Sequence, residues 1–171
     1  MKKSFYFLAG LCAFIGILHT CFTKEAYQTK AVNLHNQYRR KHHAPALRMD
    51  NELNSLAVKC ADYYARKEAI DFSCPYKGDV GENLASVDGG NCNSNQLAVR
   101  ASKGWYSGVK FFNDNYARHY HEILSFIQMV WKDTQKCGFG YARTIIVFLL
   151  VCTVQRETML MELKKMFLSL R

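Results

Sequence analysis

The sequence lacks the features that mark several common classes of protein. It contains only two prolines among 171 residues, no Asn-x-Ser/Thr acceptor for N-glycosylation and no pair of cysteines with the CxxC spacing of zinc sites. Its formal net charge is +9, yet the basic residues form neither a basic helix nor an aromatic–basic repeat. We therefore expect a solvated basic surface and no nucleic-acid partner.

No apolar run reaches the roughly 20 residues that a membrane-spanning helix needs. The run from Phe5 to Leu18 follows Lys2 and Lys3, an order that is typical of a secretory signal peptide. We predict a signal peptide over residues 1–22, no membrane span, and a secreted, extracellular chain of roughly 150 residues that forms one domain.

Five cysteines remain after that signal peptide: Cys60, Cys74, Cys92, Cys137 and Cys152. In a secreted chain they are candidates for disulfide bonds rather than for metal ligands. Because five is an odd number, one thiol stays free, pairs with another chain, or indicates an error in the sequence.

Apolar periodicity predicts four helices followed by two strands. The helices are expected from about Tyr27 to His42, from a cap at Asp50 or Asn51 to about Glu68, from Asn95 to Phe112, and up to Trp131; the strands cover Cys137 to Ala142 and Ile145 to Val151, and one short ordered piece lies at Gly81 to Leu84. Helices that precede strands without regular alternation favour an α+β fold, with a three-layer α-β-α sandwich as its architecture. The late strands could pair with an earlier, unrecognised strand.

Two helix positions carry unusual residues. His35 lies beside the apolar stripe of the first helix, where a buried or capping role is more common than metal binding. Gly108 falls on the core stripe of the third helix, although a glycine inside a helix costs about 1 kcal/mol relative to alanine. Its position requires either close packing or the loss of a side chain.

Four sequence blocks, taken in order, resemble the CAP superfamily, the cysteine-rich secretory, antigen five and pathogenesis-related one proteins, whose domain is also called SCP. The blocks are HNQYRRKHHAPALRMDNELNSLA from His35, GENLA from Gly81, WYSGVKFFN from Trp105 and FIQMVWKDTQKCGFGYA from Phe126. The nearest likeness is to secreted venom allergen-like proteins of parasitic worms. The resemblance implies the same α-β-α sandwich, and we assign the CAP domain to residues 25–152.

Many members of that superfamily carry two histidines and two glutamates in a central cleft that can hold a divalent metal. The equivalent positions here are Ser73, Glu82, Gly108 and Ser125, so only Glu82 is retained. Zinc typically takes three or more imidazole, thiolate or carboxylate ligands, and glycine and serine supply none at neutral pH. We predict no metal, no cofactor, no catalytic residue, and a structural role for Glu82 in which backbone hydrogen bonds hold the GENL segment against the helices.

Two rearranged sites are the enzymatic alternatives. His121 lies one helical turn before Ser125 and Cys74 adjoins Ser73, so His121, Cys74 and Glu82 could converge on a metal and support a metal-dependent hydrolase. Cys74 could also form a nucleophile pair with His119 or His121, although a secreted cysteine is usually oxidised.

The resemblance implies a non-enzymatic binding module with an extracellular ligand-binding or host-interaction role. Superfamily members have been associated with sterols, fatty acids and protein partners, so a sterol or fatty acid, or an extracellular protein, is the expected partner. An aromatic-rich run offers apolar surface for a lipid, unless its rings fill the core. The run consists of Trp105, Tyr106, Phe111, Phe112, Tyr116 and Tyr120.

The end of the chain departs from the family pattern. Residues 153–171 form an atypical tail with one apolar helical face, which suits a membrane surface or a partner helix. Read one nucleotide out of phase, Arg156 to Leu170 can encode GNYVNGIKENVFKP, which resembles the usual end of the family. We hypothesise a change of frame between about Tyr141 and Val151, which an in-frame transcript across this segment would refute.

The disulfide pattern depends on this tail. If it is as written, the resemblance implies a Cys137–Cys152 bond between two strands. Cys60, Cys74 and Cys92 then leave one cysteine unpaired, and the sequence does not select which.

Overall fold

A computed structural model describes residues 25–86, 92–112 and 118–143, together with the backbone of a strand at 147–155. The predicted signal peptide and residues 156–171 of the atypical tail lie outside these residues. Both assignments, and the domain boundaries, therefore stay predictions.

Four α-helices make up about half of the described chain. They are α1 Ala26–Lys41, α2 Asn51–Lys67, α3 Ser94–Tyr106 and α4 Tyr120–Val130, and a 3-10 helix at Ser107–Phe111 follows α3. As predicted, the carboxylate of Asp50 caps α2 by accepting from the backbone N–H groups of Glu52 and Leu53, at 3.0 and 3.2 Å. The third helix, predicted to reach Phe112, is α-helical only to Tyr106. The residues that follow, Ser107–Phe111, form the tighter 3-10 helix.

The strands form one mixed sheet in the order β1-β3-β4-β2. They are β1 Arg48–Met49, β2 Val80–Ser86, β3 Lys136–Ala142 and β4 Val147–Gln155. β1 is parallel to β3, whereas β4 is antiparallel to both β3 and β2. The sequence does not predict β1, because two residues are too few to show alternation. The late strands do pair with earlier ones, β3 with β1 and β4 with β2.

Helices cover both faces of the sheet. On one face, Gly138 and Gly140 of β3 let α2 approach so closely that a Cβ atom at either position would overlap its backbone at Leu53 or Ala57. On the other face, the fully buried Phe139 lies in a core cluster built mainly from α1 and α3. This arrangement confirms the predicted α+β fold with three α-β-α layers.

A buried arginine ties α1 to the segment that links α4 to β3. Arg39 is fully buried, and its guanidinium donates to four backbone carbonyl oxygens. The acceptors are Pro45 at 2.6 Å, Met129 and Trp131 at 2.9 Å, and Thr134 at 3.1 Å. The planar guanidinium suits this role because it presents five N–H donors in a fixed geometry.

Candidate functional site

Glu82, which the family resemblance predicts to be the retained acid of the tetrad, lies on β2 and contacts α2. Its side chain is only 2% exposed. The hydroxyl of Tyr64 in α2 donates to Glu82 Oε1 at 2.9 Å and accepts from the backbone N–H of Cys74 at 2.9 Å. We expected backbone hydrogen bonds to hold this segment to the helices. The carboxylate itself makes the contact with α2, through Tyr64.

The positive partner of Glu82 is a lysine of the chain. Lys77 forms an ion pair with Glu82 Oε1, and its side chain is 12% exposed. The same ammonium donates to the backbone oxygen of Phe72 at 2.6 Å and lies 5.8 Å from the centre of the Phe72 ring. Burial raises the pKa of Tyr64, and the Glu82 carboxylate raises it further, so Tyr64 remains a neutral donor.

A disulfide bond closes the loop beside this pair. Cys60 of α2 is bonded to Cys74, with their Cα atoms 5.5 Å apart. Cys74 therefore offers neither a thiolate ligand nor a nucleophile. The Cys60–Cys74 bond removes the thiolate that both rearranged sites need, the metal site of His121, Cys74 and Glu82 and the pairing of Cys74 with His119 or His121.

The first tetrad position, Ser73, is exposed and belongs to a polar surface network. Its hydroxyl donates to Asp71 Oδ1 at 2.5 Å, accepts from Lys67 Nζ at 2.8 Å, and lies 3.3 Å from the hydroxyl of Tyr63. Lys67 also pairs with Asp71, and its hydrogen bond lowers the pKa of that carboxyl to about 2. The same bond raises the pKa of Lys67, so the lysine remains charged and is not a general base for Ser73.

The two remaining positions predicted for the tetrad, Gly108 and Ser125, lie where α4 meets neighbouring elements. Gly108 is buried, and a Cβ atom there would overlap the carbonyl oxygen of Glu122 in α4 and lie 3.1 Å from the Cβ of Phe126. The sequence allows two explanations for an inward-facing glycine, close packing and a lost side chain, and this contact shows the close packing. The Ser125 carbonyl accepts from the side-chain amide of Asn83 in β2 at 2.9 Å, which joins α4 to the edge of the sheet.

These positions do not fit a divalent metal. Their only ionisable side chain is Glu82, which is already paired with Lys77, and a zinc ion would require further ligands. Within residues 25–86, 92–112 and 118–143, no group of three or more histidine, cysteine or acidic side chains could hold a metal ion.

His35 is not part of this site. The ring is fully buried, its Nδ1 lies 2.9 Å from the Ala31 carbonyl, and it packs against the rings of Trp105 and Phe139. Burial lowers the pKa of His35 to about 4. It is the buried histidine that the sequence favours over a ligand.

The aromatic run divides between core and surface. Trp105 is buried and donates from its indole N–H to the Leu84 carbonyl at 3.0 Å. Tyr106 stacks on Tyr38, with ring centres 3.8 Å apart, and Phe111 stacks on His119 at 3.7 Å. Phe112 and Tyr120 are 40% and 38% exposed, whereas Tyr116 lies outside the described residues.

The sequence alone identifies neither Lys77 nor Tyr64 as a partner of Glu82. Lys77 lies in a loop without periodicity, five residues before Glu82. The only available signal was the retention of Glu82 without its usual companions, because a buried carboxylate requires a positive or hydrogen-bonding partner.

Residues 32–152 match the CAP family, described as the cysteine-rich secretory protein family. The chain belongs to this family. It is 30% identical over 117 residues to the human Golgi-associated plant pathogenesis-related protein 1, a match that covers 68% of this chain and 73% of the relative.

Solved structures of low sequence identity share the fold. NaASP2, crystallised with Zn2+, aligns with a TM-score of 0.61 and 17% identity over 76% of this chain and 80% of that one. Venom allergen-like protein 4 of Schistosoma mansoni aligns with a TM-score of 0.53 and 19% identity over 77% of this chain and 92% of that one. The likeness to venom allergen-like proteins of worms is thereby confirmed at the level of the fold.

Proposed function

We propose that this CAP protein is a secreted, non-enzymatic binding module with an extracellular ligand-binding or host-interaction role, and that its metal tetrad has been lost. The observation that carries the proposal is the Lys77–Glu82 ion pair. The ammonium of Lys77 supplies beside the retained carboxylate the positive charge that a metal would otherwise bring. CAP proteins are generally not enzymes, which agrees with this proposal.

The same region offers no activated nucleophile. Cys74 is oxidised, and the exposed Ser73 hydroxyl contacts a lysine that is itself paired with Asp71. A lysine that acts as a catalytic base is desolvated, so that it loses its proton near neutral pH. Lys67 is instead exposed and paired with a carboxylate, which favours its charged form. A hydrolase with a rearranged site is therefore the weaker alternative.

Metal analysis tests the proposal directly. The purified full-length protein is incubated with excess zinc, desalted and analysed by elemental mass spectrometry beside the Glu82→Gln variant. We expect substoichiometric zinc in both samples. One zinc per chain in the parent protein, lost in the variant, would overturn the proposal.

Secretion is the second part of the proposal. Among the described residues, no helix is both long and apolar enough to cross a membrane. CAP proteins are typically extracellular or Golgi-associated, so the experiment must distinguish export into the medium from retention in the cell. Expression of the full-length sequence in a eukaryotic cell, with amino-terminal sequencing of the protein in the medium, should find a chain that begins between about Cys21 and Lys24. Retention of the uncleaved chain inside the cell would contradict secretion.

A sterol or fatty-acid carrier is the second candidate. The partly exposed ring of Phe112 lies 5.8 Å from the ring of the buried Phe126, so it extends the apolar cluster of α4 to the surface. Titration with a fluorescent sterol and a fluorescent fatty acid should show saturable binding that Phe112→Ser weakens. Tyr76→Ser is the matched control because Tyr76 is 55% exposed in a different loop. Equal loss in both variants would count against this candidate.

A further inference from the structure

A cavity of about 350 Å³ lies where α1 and the beginning of α3 meet. It is lined by Lys30, Asn93, Asn95, Gln96, Val99 and Arg100. This volume is at the lower end of the range of small-molecule sites, which is about 300–1,000 Å³. The cavity is separate from the Lys77–Glu82 pair and from the aromatic surface around Phe112.

The polar groups of this cavity can mainly donate hydrogen bonds. Lys30 and Arg100 have only N–H donors, and neither forms an ion pair within the part of the chain that the structure describes. The side-chain oxygens of Asn93 and Gln96 accept from each other's backbone N–H groups, at 3.0 Å in both directions. Their amide N–H2 groups therefore remain as donors.

The cavity also has no negative charge among its lining residues. The lining includes one cation from each of two helices, Lys30 of α1 and Arg100 of α3, and both side chains are exposed. A ligand with several acceptor oxygens and a negative charge matches this set of donors.

We propose that this cavity binds a small ligand through a phosphate or sulfate group. Lys30 and Arg100 contact the anionic oxygens, and the side-chain amides of Asn93, Asn95 and Gln96 supply further donors. The half-buried Val99 lies against the uncharged part of the ligand. This proposal goes beyond the function proposed above and does not depend on it.

The test is a titration of the full-length protein in which the amide NMR signals of residues 30 and 93–100 report binding. The soluble probes are glycerol 3-phosphate and glucose 6-sulfate. The membrane probe is phosphatidylcholine vesicles that contain phosphatidic acid, and co-sedimentation measures binding to them. We expect saturable binding of at least one probe. The probe that binds identifies the source of the anionic group. No saturable binding of any probe would overturn the proposal.

Variants separate a site from general charge attraction. The double variant Lys30→Gln/Arg100→Gln should weaken binding about tenfold or more, because it removes both charge-assisted contacts. The matched control, Lys59→Gln/Arg66→Gln, removes two exposed cations of α2 and should bind like the parent. Equal weakening in both double variants would overturn the proposal.

Asn95→Asp distinguishes binding from folding. It places a carboxylate in the cavity, which should abolish binding, while an acidic residue in the first turn of α3 favours the helix. Retained thermal stability with lost binding supports the proposal, and unchanged binding contradicts it.

Discussion

The carbonyl oxygen of Glu122 in α4 occupies the space into which a side chain at position 108 would extend. The family resemblance implies a glutamate at this position in members with a complete tetrad. We propose that the ligand has been lost and that α4 packs into its place, so that a substitution at position 108 alone would not restore the site.

Alanine substitutions at two glycines test that closure. Gly108→Ala should destabilise the protein by about 1–3 kcal/mol, because its methyl group has no space. Gly104→Ala, in α3 just before the 3-10 helix that contains Gly108, has no atom within 4 Å of its new Cβ and should stabilise by about 0.5–1 kcal/mol. Thermal unfolding measures both effects. A Gly108→Ala variant as stable as Gly104→Ala would show that α4 is not closed over position 108.

Loss of the Lys77 charge should be costly. Lys77→Met leaves the Glu82 carboxylate buried without its cation, and we expect destabilisation of about 3 kcal/mol, at the lower end of the range for buried pairs because Lys77 keeps some contact with water. Lys67→Met breaks the exposed pair with Asp71 and should change stability little. Chemical unfolding of both variants makes the comparison.

A double variant shows whether the buried charge causes this loss. Lys77→Met/Glu82→Gln removes both charges and should recover part of the stability, since the amide of glutamine is less costly to bury than a carboxylate. No recovery would indicate that the lysine acts through packing alone.

Disulfide mapping tests the assignment of all five cysteines. Under non-reducing conditions, peptide mass spectrometry should find Cys60 linked to Cys74, while Cys92 reacts with an alkylating agent. We also expect Cys137 linked to Cys152, because they are directly opposed in the β3–β4 register. A Cys92 disulfide to either strand cysteine would contradict this pattern.

The helices and late strands could be predicted because their signals are local. The apolar stripe of α2 and its Asp50 cap lie in consecutive residues, so their periodicity is visible in the sequence. β1 could not be predicted in the same way, since its two residues become a strand only by pairing with β3, almost 90 residues later in the chain.

The residues at the predicted tetrad positions can be read from the sequence, whereas the groups that surround them cannot. The short family motifs predict Ser73, Gly108 and Ser125 at positions that hold ligands in other family members. The roles of Lys77 and Arg39 depend on contacts made by folding: an ion pair across a loop in one case, and four carbonyl groups from three segments in the other. No periodicity distinguishes these two cations from those on the surface.

His35 should make the protein sensitive to mild acid. Burial lowers its pKa from 6.5 to about 4, so the unfolded chain binds a proton between these values more readily than the folded one. Stability is therefore complete above about pH 6.5 and decreases as the pH falls towards 4. Between pH 7 and pH 5 we expect His35 to account for a loss of about 2 kcal/mol.

Denaturant unfolding of a histidine variant at several pH values isolates this contribution. His35→Leu removes the titration and should flatten the change in unfolding free energy between pH 7 and pH 5, even if its stability at pH 7 is lower. His121→Gln, which removes an exposed histidine of α4, should keep the pH dependence of the parent protein. Because His121→Gln controls for the loss of a histidine as such, the difference between the slopes of the parent and His35→Leu belongs to His35. If the unfolding free energies of the parent and His35→Leu change with pH at the same rate, the folded protein accommodates a proton on His35. The prediction would then be wrong.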